Sequence, residues 1–367
     1  MTANSPISKS IRPRARVFRC AWALSLAFAA TFASAGPQRN DLSVNPFEFR
    51  STMEAVPGMV KLVSLAELND AAKRFDAQAS GSLAIVYPDI GEPYRSVFAK
   101  IIEGIEEGAR LSVRTYPIGP GQDPAELAAL LKRNGTRAVI ALGRQGLKAT
   151  AAVEGSIPVV VGGVLAIPEA ENRGLTGISL TPDPALLFMR LKNLMPGARR
   201  VIVVYNPLHN DWLIKIARDA ARAQGLELVA HEARDLAAAA RAYEAAFAAS
   251  DGKRDAVWLP QDATTVDENT ILPLVLKESW NRNVPVFSSS FLHVKKGALF
   301  ALYPDNLELG RTLAGSALTA MSGDARRKGL LPLREVQTAV NLRTASHLGL
   351  SIGYQQQRSF DFIFPEP

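Results

Sequence analysis

Beyond Gly81, short runs of Val, Ile, Leu and Ala alternate with longer segments of helical period. Apolar runs without polar alternation suit strands covered on both faces, and strands separated by helix-length segments run parallel, with the helices as crossovers. Strands are expected at Leu83–Tyr87, Leu111–Tyr116, Ala138–Leu142 and Pro158–Val161, with helix-like sequence such as Pro93–Gly108 between them. After Gly174–Leu180 a second series begins, with strands at Arg200–Tyr205, Leu226–His231, Ala256–Leu259 and Pro285–Ser288. Helices at Pro184–Leu194, Asp211–Gln224, Leu236–Ser250 and Asn269–Arg282 fill its gaps. Each series has the size of one ordinary domain, about 100 to 150 residues, so the chain reads as α/β, with two doubly wound parallel-sheet lobes and a ligand cleft between them. Ala298–Tyr303 and Val336–Leu342 read as further strands, and Leu307–Met321 and a segment from Thr344 as helices. These must join one lobe or the other.

The start of the chain is of another kind. Lys9, Arg12, Arg14, Arg16 and Arg19 precede an apolar run from Ala21 to about Phe32, which ends in Ala33-Ser34-Ala35. The run is shorter than the roughly 20 apolar residues a membrane span needs. Positive residues, a short apolar stretch and a small-residue site read as an export signal over residues 1–35, cleaved after Ala35, with an uncleaved anchor as the alternative. Residues 36–80 follow as a leader of mixed character. Of 42 basic and 35 acidic residues, the export segment holds five of the basic ones, leaving 37 against 35. A nearly balanced mature chain gives no electrostatic footprint for nucleic acid or an anionic membrane. The single cysteine, Cys20, lies before the apolar run rather than after it, so no lipid anchor is expected.

Local catalytic signatures are missing. His209, His231, His293 and His347 have no paired-ligand spacing, no Gly-x-Ser-x-Gly elbow occurs, and Gly143-Arg-Gln-Gly146-Leu-Lys148 does not keep phosphate-loop spacing. These spacings support no enzyme class and no cofactor is expected, although a catalytic constellation assembled from distant residues stays open.

Parallel sheets bind ligands outside the carboxyl ends of their strands, which directs attention to the loops that follow them. Pro88-Asp89-Ile90-Gly91-Glu92-Pro93-Tyr94 follows the first strand and Gly143-Arg144-Gln145-Gly146 the third. Gln145 and Gly146 stand near a helix start, where free N–H groups favour an anion, or where glycine permits a tight turn. Arg144 either pairs with that anion or points to solvent. In the second series Asn206 follows one strand and Gln261-Asp262-Ala263-Thr264 another. Asp262 could receive a ligand ammonium or cap the next helix. Ser288, Ser289 and Ser290 offer hydroxyls or ordinary loop chemistry, and Tyr94 and Tyr303 offer aromatic walls or packing within their own lobes.

Leu175-Thr-Gly-Ile178, Val203-Val-Tyr-Asn-Pro207, Leu259-Pro-Gln-Asp262, Ile157-Pro-Val159, Pro285-Val-Phe287, Gly297-Ala-Leu299 and Asn341-Leu342 before Ala345 occur in an order that resembles the substrate-binding proteins of bacterial ABC importers. The similarity is to the branch typified by tryptophan- and tyrosine-binding components and spans about residues 81–350. It implies the type I periplasmic binding-protein fold, three crossings between lobes and hinge closure on a small ligand in the periplasm, with an ABC permease in the inner membrane as partner; the leader and the aromatic-rich tail leave a membrane sensor as the alternative partner. It also implies a first lobe of about 81–165 plus 291–325 and a second of about 166–290 plus 326–350, with 351–367 as a tail. Asn206 and Asp262 match cleft positions of the family. Gly162-Gly163-Val164-Leu165-Ala166 stands where the family commonly has Asp-Pro, which makes Gly163 a further candidate.

Overall fold

A computed structural model describes residues 82–109, 111–153, 155–167, 175–323 and 329–365. The expected export signal and leader lie outside the described residues. The described residues fall in one compact unit, and no helix among them is long and apolar enough to cross a membrane.

The first sheet comprises β1 (Ser82–Pro88), β2 (Ser112–Ile118), β3 (Thr136–Leu142), β4 (Val159–Val164), β5 (Thr176–Pro182) and the late strand β11 (Gly329–Leu333). Their order is β11-β5-β4-β3-β1-β2, and every pairing is parallel. Leu83 to Val86 and Ala138 to Leu142 are buried on both faces, which their unbroken apolar runs require. β2 is an edge strand, largely exposed, and accommodates Pro117 because an edge can forgo a ladder hydrogen bond. Helix α1 (Tyr94–Gly108) covers one face, and α2 (Pro124–Arg133) and α3 (Gly143–Ala149) the other.

The second sheet comprises β6 (Arg200–Tyr205), β7 (Glu227–Glu232), β8 (Asp255–Leu259), β9 (Val286–Ser288), β10 (Phe300–Pro304), β12 (Val336–Asn341) and β13 (Phe362–Phe364). The order is β13-β12-β10-β9-β8-β6-β7, parallel except for the antiparallel pair β10/β12. On one face α4 (Pro184–Leu194) and α5 (Pro207–Ala223) bury Phe188, Trp258, Phe287 and Phe300, with Phe188 set edge-on to Trp258 at 5.7 Å. On the other, α6 (Leu236–Ala248) and α7 (Ile271–Arg282) bury Tyr243 and Phe247.

The helices start where the sequence supplies a cap and a preset φ. Asp123, Asp183 and Asn206 each accept a hydrogen bond from the backbone two residues on, and each precedes a proline at the first helical position. The cap satisfies an N–H that the first turn leaves open, and proline has none to lose there.

Sheet membership differs from the expected segmentation in three places. β5, expected within the second lobe, extends the first sheet beside β4; β10, expected in the first lobe, is central to the second sheet; and β11, expected in the second, pairs with β5. The physical reason is that the chain changes sheet after a strand is complete, at its carboxyl end. The crossings are Asp183, between β5 and α4; Asp305, between β10 and α9 (Asn306–Met321), which packs on α1 in the first lobe; and Arg334-Glu335, between β11 and β12. The expected tail also differs: its last described residues form β13, an integral edge of the second sheet.

Candidate ligand-binding cleft

Each crossing is one or two residues long and leaves from the carboxyl end of a parallel strand, so the carboxyl ends of both sheets lie side by side along the hinge. The three segments are tied together there. The Asp183 N–H donates to the Leu333 carbonyl at 2.7 Å, the Asp305 N–H to the Glu335 carbonyl at 3.0 Å, and Arg334 reaches the Asp183 carboxylate at 2.6 Å. Ligands of parallel sheets bind outside these strand ends, and here two sets of them border one cleft.

On the first-lobe side, Asp89 follows β1 with an exposed carboxylate, 3.9 Å from Arg95, while its N–H is held by the Ile118 carbonyl at 3.0 Å. Tyr94 opens α1 and is 61% exposed. Arg144 and Gln145 lie in the first turn of α3, the former half-buried and the latter exposed. Gln145 borders a hollow of about 280 Å³ with Gly119, Gly121, Gln122 and Lys148. Gly163 holds φ +68°, and a Cβ there would sit 3.0 Å from the Phe98 ring and 3.3 Å from the Gly143 nitrogen. Both the left-handed backbone and the close approach call for glycine.

The second-lobe candidates are more deeply placed. Asp262 is buried, and its Oδ2 accepts from the Asn206 N–H at 2.6 Å and from Asn210 Nδ2 at 3.0 Å. Its Oδ1 accepts from the N–H groups of Thr264 at 3.0 Å and Thr265 at 3.3 Å. A carboxylate offers about four acceptor sites, and these are occupied by the protein. Asn206, also buried, caps α5 and donates through Nδ2 to Thr264 Oγ1 at 3.3 Å. Asp262 thus joins the loop after β8 to the start of α5; it does not cap the next helix, α7, whose N-cap is Thr270, because its oxygens are taken by its own loop and by α5.

Ser288 and Ser289 are wholly buried. The Ser290 N–H donates to Ser288 Oγ at 3.1 Å, and that hydroxyl lies 2.7 Å from His293 Nδ1, on α8 (Phe291–Lys296). Burial holds the His293 pKa down to about 4, with Glu268 opposing and Lys296 adding to the effect. His293 is neutral at neutral pH, and the Ser288 hydroxyl also lies within reach of the Leu259 carbonyl, to which it donates at 3.3 Å. Ser289 Oγ accepts from Trp258 Nε1 at 3.3 Å, and its carbonyl from Gln261 Nε2 at 3.1 Å. Tyr303, just before the second crossing, packs with Phe291 and Phe362, and burial raises its pKa, helped by Asp361 and Asp305.

Two residues that sequence reasoning did not select belong to this region. His293 had appeared only as an isolated histidine, because its partner Ser288 is fixed by the fold of the β9–α8 turn. Trp212, on α5, packs against first-lobe and second-lobe residues together. A large apolar residue beside, rather than on, the core stripe of a helix was the available signal.

Two parallel-dominated sheets with helices on both faces, joined by three short crossings, define a protein of the type I periplasmic binding fold. The chain belongs to the ABC transporter substrate-binding protein family, whose sequence pattern matches residues 82–355; it is a family of substrate-binding proteins, not a class of enzymes. The ligand-free, open structure of CD0873 from Clostridium difficile, described as a substrate binding protein with adhesive properties, is similar at 15% identity and a TM-score of 0.54, over 77% of this chain and 98% of that one. The ABC domain in complex with L-Trp from Streptococcus pneumonia is 17% identical, TM-score 0.49, over 78% and 100% of the two chains. A conserved domain protein from Vibrio cholerae is 17% identical, TM-score 0.48, over 77% and 99%. None of the curated proteins matches this sequence.

Proposed function

We propose that this chain is the exported, periplasmic receptor of an ABC importer, which captures a small polar ligand between its lobes by hinge closure and presents the closed form to the permease. The observation that carries this reading is the pair of carboxyl-end loop sets brought together by the three crossings. Contacts from both lobes exist only when the cleft is closed, so a ligand that makes them shifts the population toward closure. The first lobe contributes Asp89, Tyr94, Arg144, Gln145 and the Gly163 turn. In the second, Asn206, Asp262, Ser288 and Ser289 fix the loops that shape the cleft, and Tyr303 forms a wall. Because the Asp262 oxygens are occupied and the Asp89 carboxylate is open, Asp89 is the acceptor for a ligand ammonium. An amino acid or a related compound fits that arrangement, in keeping with the L-Trp complex of a relative.

A ligand bound only by the folded form raises the melting temperature, by an amount that corresponds to about 2.7 kcal/mol at a hundredfold excess over Kd. A thermal-shift screen of amino acids, nucleosides and small peptides tests the reading. At least one class is expected to give a saturable rise, and a flat response throughout, together with native mass spectra free of bound ligand, would overturn it. Mass spectrometry of the chain recovered from the periplasm tests export, with Gly36 expected at the mature N-terminus.

A further inference from the structure

The core stripe of α5 is complete without Trp212: Leu213, Ile214, Ala217, Ala220 and Ala221 bury against the second sheet. Trp212 flanks that stripe and packs at the same time on the first-lobe cluster that includes Leu147, Val161, Val164 and Ile167. This contact is separate from the hinge. Helix α5 begins at the carboxyl end of β6, and the cluster runs along β4 and past its end, from Val161 through Val164 to Ile167, with Leu175 and Leu330 beside it, so the indole joins the first turns of α5 to the first lobe. Its Nε1 is buried and meets no acceptor.

We propose that Trp212 is a closure residue, whose packing on the first lobe sets the fraction of closed molecules before a ligand arrives and thereby tunes apparent affinity. This rests on the cleft being the hinged binding site described above. When only the closed form binds fully, apparent Kd equals the intrinsic value divided by the closed fraction. Two opposing effects meet at the one side chain. The apolar ring favours closure, since it loses water on the first lobe. The buried, unpaired N–H favours opening, since water satisfies it once the lobes part.

The test needs no ligand. The full chain carrying C20S, with spin labels at K132C on α2 and E244C on α6, both exposed sites, reports the separation of the lobes by pulsed dipolar spectroscopy. Trp212→Ala is expected to move the unliganded distribution to longer distances and to cut the closed-to-open ratio by about tenfold or more, the scale typical of a truncated interface tryptophan. Trp212→Phe keeps an aromatic ring and drops the N–H, so its closed fraction should equal or exceed that of the parent. An unchanged distribution in a Trp212→Ala protein with parental melting temperature and circular dichroism would overturn the proposal, as would opening by Trp212→Phe equal to that by Trp212→Ala. If the alanine variant does not fold, Trp212→Leu supplies the same comparison. A ligand screen without hits would bring down the transport reading and leave these distances unaffected.

Discussion

Four protein donors converge on the two oxygens of Asp262, so substitution there leaves buried N–H groups without acceptors. Asp262→Asn presents an amide donor to a site built for acceptance. It is expected to destabilise the second lobe by about 2 to 4 kcal/mol, read from the urea midpoint, because unpaired buried donors carry their full desolvation cost. Asp89→Ala removes an exposed carboxylate with one long ion pair, which contributes little to stability. Its midpoint should stay parental while any ligand-induced shift of a cationic or zwitterionic ligand is lost. A reversal of these two results would exchange the roles of the carboxylates. His293 adds a pH dependence whose sign is fixed by its depressed pKa of about 4, against an ordinary value of 6.5. Above pH 6.5 neither state holds the proton. As pH falls from 6.5 to 4 the unfolded chain takes it up and the folded chain does not, so stability falls, by about 3 kcal/mol in all. His293→Gln should flatten that limb, and a parental slope between pH 6.5 and 4 would show that another group is responsible.

Among the elements, α1 and α9 approach so closely that a Cβ on Gly104 would run into the Leu307 carbonyl and one on Gly310 into the Ile101 carbonyl. The obstacles are backbone atoms, which cannot rotate away. Gly104→Ala or Gly310→Ala should therefore cost about 1 to 3 kcal/mol or more through overpacking, although alanine is the better helix former. Equal or higher stability would mean that the helices can separate without loss. Local pattern revealed most of the strands, since buried parallel strands such as Leu83 to Val86 are unbroken apolar runs, and the helix start at Pro184; α5 was expected from Asp211 and begins at Pro207, because Asn206 caps it and proline presets φ there. β11 and β13 were not legible. Gly329–Leu333 contains a proline and Phe362–Phe364 is three residues long, so each is a strand only because a neighbour pairs with it. Sheet membership was likewise decided by pairing over long sequence separations. In the cleft, the loops were readable because they follow strands, whereas the commitment of Asp262 to Asn206, Asn210, Thr264 and Thr265 depends on how two loops meet. The tail, once β13 is counted, is no free extension: Phe364 packs with Val294, Ala301 and Ala339, and Arg190 sits 4.7 Å over the Phe360 ring.

At the scale of the whole molecule, each lobe has its own core, and Trp212 and Val336 are points where residues of both meet. Such an arrangement need not unfold in one step, because two cores with a narrow connection can lose cooperativity. The described tryptophans make this measurable: Trp212 on α5, Trp258 in β8 and Trp280 on α7 all belong to second-lobe elements. In a Trp212→Phe background, which leaves Trp258 and Trp280 within the second lobe, tryptophan fluorescence follows that lobe, while far-UV circular dichroism follows both. Without ligand the two urea transitions are expected to separate. Asp262→Asn should move the fluorescence midpoint first, and Gly104→Ala the part of the dichroism transition that fluorescence does not see. A ligand held by both lobes links their unfolding, since neither can open without releasing it, so saturating ligand should bring the two transitions together. Coincident transitions in the unliganded protein, with both variants shifting both probes equally, would show that the three crossings already bind the lobes into one cooperative unit.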